Sequence, residues 1–312
     1  MPAFGPQEPK PYDFVPFPPR VDRSKPAGHD RLLPSLLSGT ITGELVAQSP
    51  VHVGSGGIEL TGDSRLPLVK DHFRTASNVG IPGSSLKGIV RSVVEAIAYS
   101  CVRVTSRRSR ELLPREFQPC EVSKDRPQLC LACRLFGAMD YQGQVRFADA
   151  VMSQGRVGTV LSPSLYAPRP DASLYRRAVG RKFYFHGKLA KGNVPLEVCD
   201  VGSRFRFRAD FVNLSEAELG VLLVALGQGE PQFNLKLGGA KPACCGSIQA
   251  ILRSINLHSA YQVALEFDAA SIVGNAARYL HAGASKIDHA SLEALGRIWR
   301  VDPTRTCPSL SY

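Results

Sequence analysis

The stretch Arg204-Phe205-Arg206-Phe207-Arg208-Ala209-Asp210-Phe211-Val212 constrains the fold most, because apolar and charged residues alternate along its whole length. A period of two sends Phe205, Phe207, Ala209 and Phe211 to one side of a pleated strand and the arginines to the other. The pattern calls for a sheet with one buried face and one wet or ligand-facing face. Candidate partner strands are Thr40–Ala47, Val145–Val151 and Ser247–Leu252, with a further one at Lys182–His186. Two helices intervene. Leu86, Ile89, Val90, Val93, Val94 and Ile97 repeat at helical spacing behind Ile81-Pro82-Gly83-Ser84-Ser85, where Ser84 or Ser85 is the expected N-cap. Ser215 caps the second, which carries Leu219, Leu222, Leu223 and Leu226. The order strand, helix, strands, strand, helix, strand predicts an α+β, ferredoxin-like core that carries insertions.

Prolines at 2, 6, 9, 11, 16, 18, 19, 26 and 34 exclude a long helix or a central strand, so residues 1–38 read as an extended arm. The core is placed at 39–258, with insertions at about 101–137 and 160–195, and residues 259–312 form a C-terminal extension. In a chain of 312 residues, 44% hydrophobic content is enough for a proper core. No apolar run approaches the roughly 18–20 residues that span a bilayer, and Met1 leads into Pro-rich polar sequence. A cytoplasmic protein without membrane partners is expected. Lys and Arg number 38 against 27 acidic residues, a net charge of +11, which suits a surface that meets polyanions. Nucleic acid is the first partner to test.

Three segments are suited to phosphate. Gly83-Ser84-Ser85 opens a helix whose free N–H groups and dipole favour anions, with Lys87 and Arg91 one turn apart. An ordinary capped helix has the same appearance, and the order of a nucleotide P-loop is missing, so ATP is not implied. Two glycine-rich loops hold His52, Gly54 and Ser55, and Gly238, Gly239 and Lys241. Cys130-x-x-Cys133 is a metal knuckle with Cys101 and Cys120 upstream, and these four are expected to hold structural Zn2+, His72 being a possible substitute ligand. Cys199, Cys244, Cys245 and Cys307 read as packing residues. Arginines 103, 107, 108, 110, 115 and 134 flank the zinc ligands as a basic knob. Tyr166, Tyr175 and Tyr184 interleave with Arg169, Arg176, Arg177, Arg181 and Lys182, a composition suited to stacking on exposed bases.

Five motifs in order resemble the RAMP superfamily, whose members form the backbone of type III-like CRISPR effector complexes. They are Pro50–Gly56, Ile81–Gly88 with Arg91, Cys130–Gly137, Phe211–Ser215 before Glu218-Leu219-Gly220, and Lys236–Pro242; Pro11–Pro18 is similar to the opening of one branch. The resemblance implies an RRM-like subunit that polymerises along a CRISPR guide RNA, gripping phosphates with the serine-led helix and the glycine-rich loops. It also implies target RNA, further copies of the chain and other effector subunits as partners, and a projecting thumb-like hairpin within 160–195. Cleaving members carry an Asp where this sequence has Arg65, in Thr61-Gly62-Asp63-Ser64-Arg65-Leu66-Pro67. A guanidinium cannot act as a general base, so a non-cleaving subunit served by a separate nuclease is expected. Two catalytic alternatives stay open: target cleavage by a displaced Asp63, or by Asp71, with Mg2+, and trimming of precursor guide RNA by His52. A zinc-stabilised basic protein of unrelated role is the third reading.

Overall fold

The computed structural model describes residues 11–103, 110–111, 113–122, 128–165, 180–258 and 269–309, the backbone alone over 269–275. Its centre is a curled antiparallel sheet. β1 (Leu37–Ala47), β2 (broken into Val145–Phe147 and Ala150–Gln154), β3 (Arg204–Leu214) and β4 (Ser247–His258) lie in the order β4-β1-β3-β2. With α1 (Gly83–Ile97) between β1 and β2 and α2 (Glu216–Ala225) between β3 and β4, this is the ferredoxin-like arrangement. The alternation in β3 turns Phe205, Phe207, Ala209 and Phe211 into the core and leaves Arg206 and Arg208 exposed. Gly43 of β1 sits under the Phe207 ring, where a Cβ would come within 2.5 Å of it. On the solvent face Glu44 pairs with Arg204 (3.0 Å) and Arg253 (2.7 Å), so this side of the sheet is partly neutralised.

Both helices cover the apolar face. α1 buries Leu86, Val90, Val93, Val94 and Ile97, and α2 buries Leu219, Leu222 and Leu223. Ser215 caps α2 in a full capping box with Glu218. The C-terminal extension holds two further helices, Ala269–Ala284 and His289–Ile298, which lie against this layer. Gly220 and Gly283 let α2 and the first of them touch, since a Cβ on Gly220 would meet the Tyr279 carbonyl oxygen. Trp299 follows the second, fully buried against Phe183 and Phe233.

A second sheet carries the order Val157–Ser162, Val194–Cys199, Leu68–His72, Gly54–Leu60. The arm strand Tyr12–Pro16 pairs with Gly180–Tyr184, two residues before the strand expected at Lys182–His186. Among the described residues no helix is long and apolar enough to cross a membrane.

Four expectations change. Pro82, not a serine, is the N-cap of α1, because Asp149 reaches across from β2 and its Oδ1 accepts the Gly83 N–H at 2.8 Å. The expected strand Val145–Val151 breaks at Ala148-Asp149, which frees that carboxylate to cap. Gly54–Gly57 extend the exposed strand Gly54–Leu60 rather than forming an open loop. Cys244 and Cys307 are not simple packing residues: they form a disulfide that closes 63 residues of sequence separation.

Candidate nucleic-acid interface and metal centre

Three motifs far apart in sequence line one groove of about 360 Å³. Val53 and Gly54 come from the end of the first glycine-rich segment, Ser85, Gly88, Ile89 and Ser92 from α1, and Lys236, Leu237, Gly238, Gly239 and Lys241 from the second glycine-rich loop. Backbone bonds hold the two glycine segments together. Gly239 N–H donates to the His52 carbonyl at 2.7 Å and Gly246 N–H to that of Pro50 at 2.8 Å. Gly238 has φ +85°, and a Cβ there would lie 2.3 Å from the His52 oxygen, so only glycine fits. Lys241 Nζ donates to the Gly238 carbonyl at 2.9 Å, and burial lowers its pKa.

His52 stands beside this groove, its side chain almost wholly buried. Its Nδ1 lies 2.7 Å from the Glu197 carbonyl, which can only accept, so in the neutral ring Nε2 carries the lone pair. That nitrogen faces Gly54, whose Cβ position is 3.3 Å away. Ser55 is spent locally, its Oγ accepting from Gly57 N–H. Ser84 is exposed and Ser85 half-buried on the first turn of α1. The helix N-terminus already holds the Asp149 carboxylate, so the flank of α1 lines the groove instead of its tip.

The remaining cations separate. Lys87 lies on another side of α1, in a cavity of about 820 Å³ shared with Arg103, Arg110 and Tyr141, where burial and then Arg91 lower its pKa. Arg91 is not on a solvated face: it is buried, pairs with Glu95 at 2.6 Å and donates to the Gly137 carbonyl at 2.7 Å. Arg134 likewise leaves the expected knob to pair with Glu218. Lys182 sits 4.5 Å from the Tyr12 ring centre and 4.7 Å from that of Tyr184. Arg107 and Arg108, with Tyr166, Tyr175, Arg169, Arg176 and Arg177, lie outside the described residues.

Asp63 and Arg65 are exposed in the turn joining Gly54–Leu60 to Leu68–His72. Asp63 Oδ1 accepts the Arg65 N–H at 2.8 Å, which uses the carboxylate to shape its own turn. Asp71 is ion-paired with Arg74, and Arg74 also holds Glu197 at 2.6 Å. Burial works against the Glu197 charge, but the Arg74 hydrogen bond and the His72 N–H bring its pKa down to about 2.

Cys101, Cys120, Cys130 and Cys133 converge completely. All four are buried, with sulfur–sulfur distances from Cys101 of 3.8 Å to Cys120, 3.4 Å to Cys130 and 3.5 Å to Cys133. A tetrahedral tetrathiolate with Zn–S of about 2.3 Å needs sulfurs about 3.8 Å apart, so the set fits a metal such as zinc. Positive groups lean on it, as an anionic thiolate set would favour: Arg91 Nη2 is 3.6 Å from Cys133 Sγ, and the Arg23 guanidinium interacts with Cys120. Hydrogen bonds among the four thiols hold Cys120 below the ordinary thiol range and push Cys101 above it. His72 takes no part. It lies in the core, with Nδ1 accepting from Val53 N–H and Nε2 facing the Gly80 carbonyl.

Asp149, Arg23 and Glu197 escaped the sequence reading, since each acts on a residue remote in the chain, and Lys236 entered it only as the first residue of a motif. A family model described as RAMP superfamily matches residues 44–248. A search of curated proteins finds no match to the chain.

Proposed function

The chain belongs to the RAMP superfamily, and from that premise we propose that it is an RNA-binding backbone subunit of a type III-like CRISPR effector complex. In this reading copies of the chain lie along a guide RNA and support its pairing with target RNA, alongside other effector subunits. The observation that carries it is the convergence of Gly54, Ser85, Gly238, Gly239 and Lys241 on one groove, from three segments that share no local structure. Bare glycine backbone beside lysine suits close approach of phosphate. The four cysteines hold structural zinc, which supplies rigidity to the 101–137 insertion and no chemistry. The paired strands Val157–Ser162 and Val194–Cys199 flank the segment in which the resemblance implies a thumb, of which the stretch Gly180–Tyr184 is paired with the N-terminal arm.

The subunit leaves target RNA intact, and a separate nuclease cuts it. Arg65 offers a fixed cation where cleaving members place a carboxylate, and Asp63 is bound into its own turn. Labelled complementary RNA, matched guide and Mg2+ incubated with wild type, Asp63→Ala and Arg65→Asp test this. Intact target in wild type is expected; regular cuts that vanish in Asp63→Ala would make Asp63 catalytic. One observation favours a second reading, guide processing: Nε2 of His52, the ring nitrogen not engaged by the Glu197 carbonyl, faces Gly54 at the groove. Fragmentation of a repeat transcript by wild type and not by His52→Ala would select it. Co-purification with short, uniform RNAs supports either role over an unrelated basic protein.

A further inference from the structure

Lys236 lines the groove, yet its side chain is 1% exposed. It stands opposite Ser247 in the pairing of Leu235–Lys236 with β4, and its Nζ lies 3.2 Å from Ser247 Oγ. The surrounding bonds fix every direction. His186 Nε2 faces the Asn234 carbonyl at 3.0 Å and must donate to it. Burial, and then Lys236, lower the His186 pKa to about 3, so the ring is neutral and Nδ1 accepts the Ser247 hydroxyl at 2.7 Å. Ser247 therefore offers Lys236 only a lone pair. An ammonium has three N–H donors, and this contact satisfies one of them. Among the described residues no carboxylate lies within ion-pair distance, and the charged or ionisable groups around the amine are Cys245, Lys241 and, through Ser247, His186 with Arg305 behind it. A buried cation with two unsatisfied donors is costly, and what it lacks is an anionic acceptor.

We propose that Lys236 is an anion contact in the wall of the groove, binding a phosphodiester oxygen as the ammonium and taking up one proton from solvent when the anion enters. The proposal deepens the RNA-binding reading and rests on it for the identity of the anion. Burial, opposed by Cys245 and helped by Lys241, brings the empty-groove pKa to about 7. An adjacent phosphate raises it. Near pH 8 the free amine is thus mostly neutral and the bound one mostly charged.

The test is calorimetric titration of a single-stranded RNA into the full-length protein near pH 8, in buffers of different ionisation enthalpy. Wild type is expected to take up most of a proton per bound site, and Lys236→Met to bind about tenfold more weakly with that uptake gone. Equal uptake and affinity in the two proteins would overturn the proposal. If wild type binds no RNA, the RNA reading fails by itself. The amine is then read directly by NMR of lysine labelled at Cε, with and without sulfate: a titration midpoint that rises with sulfate retains the anion contact, and one that does not move removes it.

Discussion

Arg91 and Lys87 sit one turn apart on α1, and the structure assigns them different work. Arg91 neutralises the fully buried Glu95 and touches Cys133, so Arg91→Ala strands an acid in the core. A loss of about 3 kcal/mol in urea unfolding is expected, with Arg181 keeping Glu95 from a larger one. Lys87→Gln removes only a half-buried cation, so folding is preserved, and any loss of RNA affinity appears with a shallower salt dependence. Cys133→Ala removes a corner of the tetrathiolate; native mass spectrometry is expected to show one zinc in wild type and none in this variant. Lys236 makes an opposite prediction for stability. Its amine titrates near 7 when folded and near 10.5 when unfolded. Between these values the unfolded chain binds more protons, so this group makes stability rise with pH across that window, and its penalty is greatest at and below pH 7. Lys236→Met is therefore expected to raise the melting temperature by about a few degrees at neutral pH, with the gain shrinking as pH approaches 10.

Elements are joined here by residues that no local pattern marks. Asp149 caps α1 from a different strand and also accepts from Thr75 Oγ1 at 2.9 Å, so one carboxylate locks β2, the segment before α1, and the helix start. Asp149→Ala is expected to cost about 1–2 kcal/mol, read from the urea midpoint at unchanged slope. The glycine pair of the second loop separates packing from binding. At Gly238 any side chain meets the His52 carbonyl at positive φ, and Gly238→Val is expected to unfold the loop. At Gly239 the nearest obstacle is the His52 ring edge at 3.1 Å, which can yield, so Gly239→Val is expected to reduce RNA binding more than thermal stability. Equal losses in both would make the loop purely structural.

At the scale of the whole molecule, the C-terminal segment is fastened to the groove. The disulfide joins Cys307 to Cys244, in the loop that carries Gly239 and Lys241, while Arg305 stacks on Phe185 and Lys188 N–H donates to the Arg305 carbonyl. Cross-linking over 63 residues stabilises by up to about 4 kcal/mol through the unfolded state. Cys307→Ser is expected to lower the melting temperature, and a thiol reductant to do the same to wild type but nothing further to the variant.

What the sequence determined by itself was whatever depends on period and order. Alternation in β3, helical spacing in α1 and α2 and the capping serine at 215 are local consequences of side-chain geometry, and their succession is enough for the ferredoxin-like order. The cysteine set was legible for a similar reason, since one knuckle with two upstream thiols leaves few ways to enclose a metal. Tertiary structure decided the direction and pairing of charges. Arg91 and Glu95 are an i,i+4 pair visible in the sequence, but folding buries both against Gly137 and Arg181, and it brings Glu218 to Arg134, which the sequence places in an exposed basic knob. It decided the N-cap of α1, because a strand break brings the Asp149 carboxylate onto the Gly83 N–H and the helix starts at Gly83, before either serine. It also decided Lys236: only the packing of His186, Ser247 and the loop around it removes its water and leaves Ser247 as its hydrogen-bond partner among the described residues.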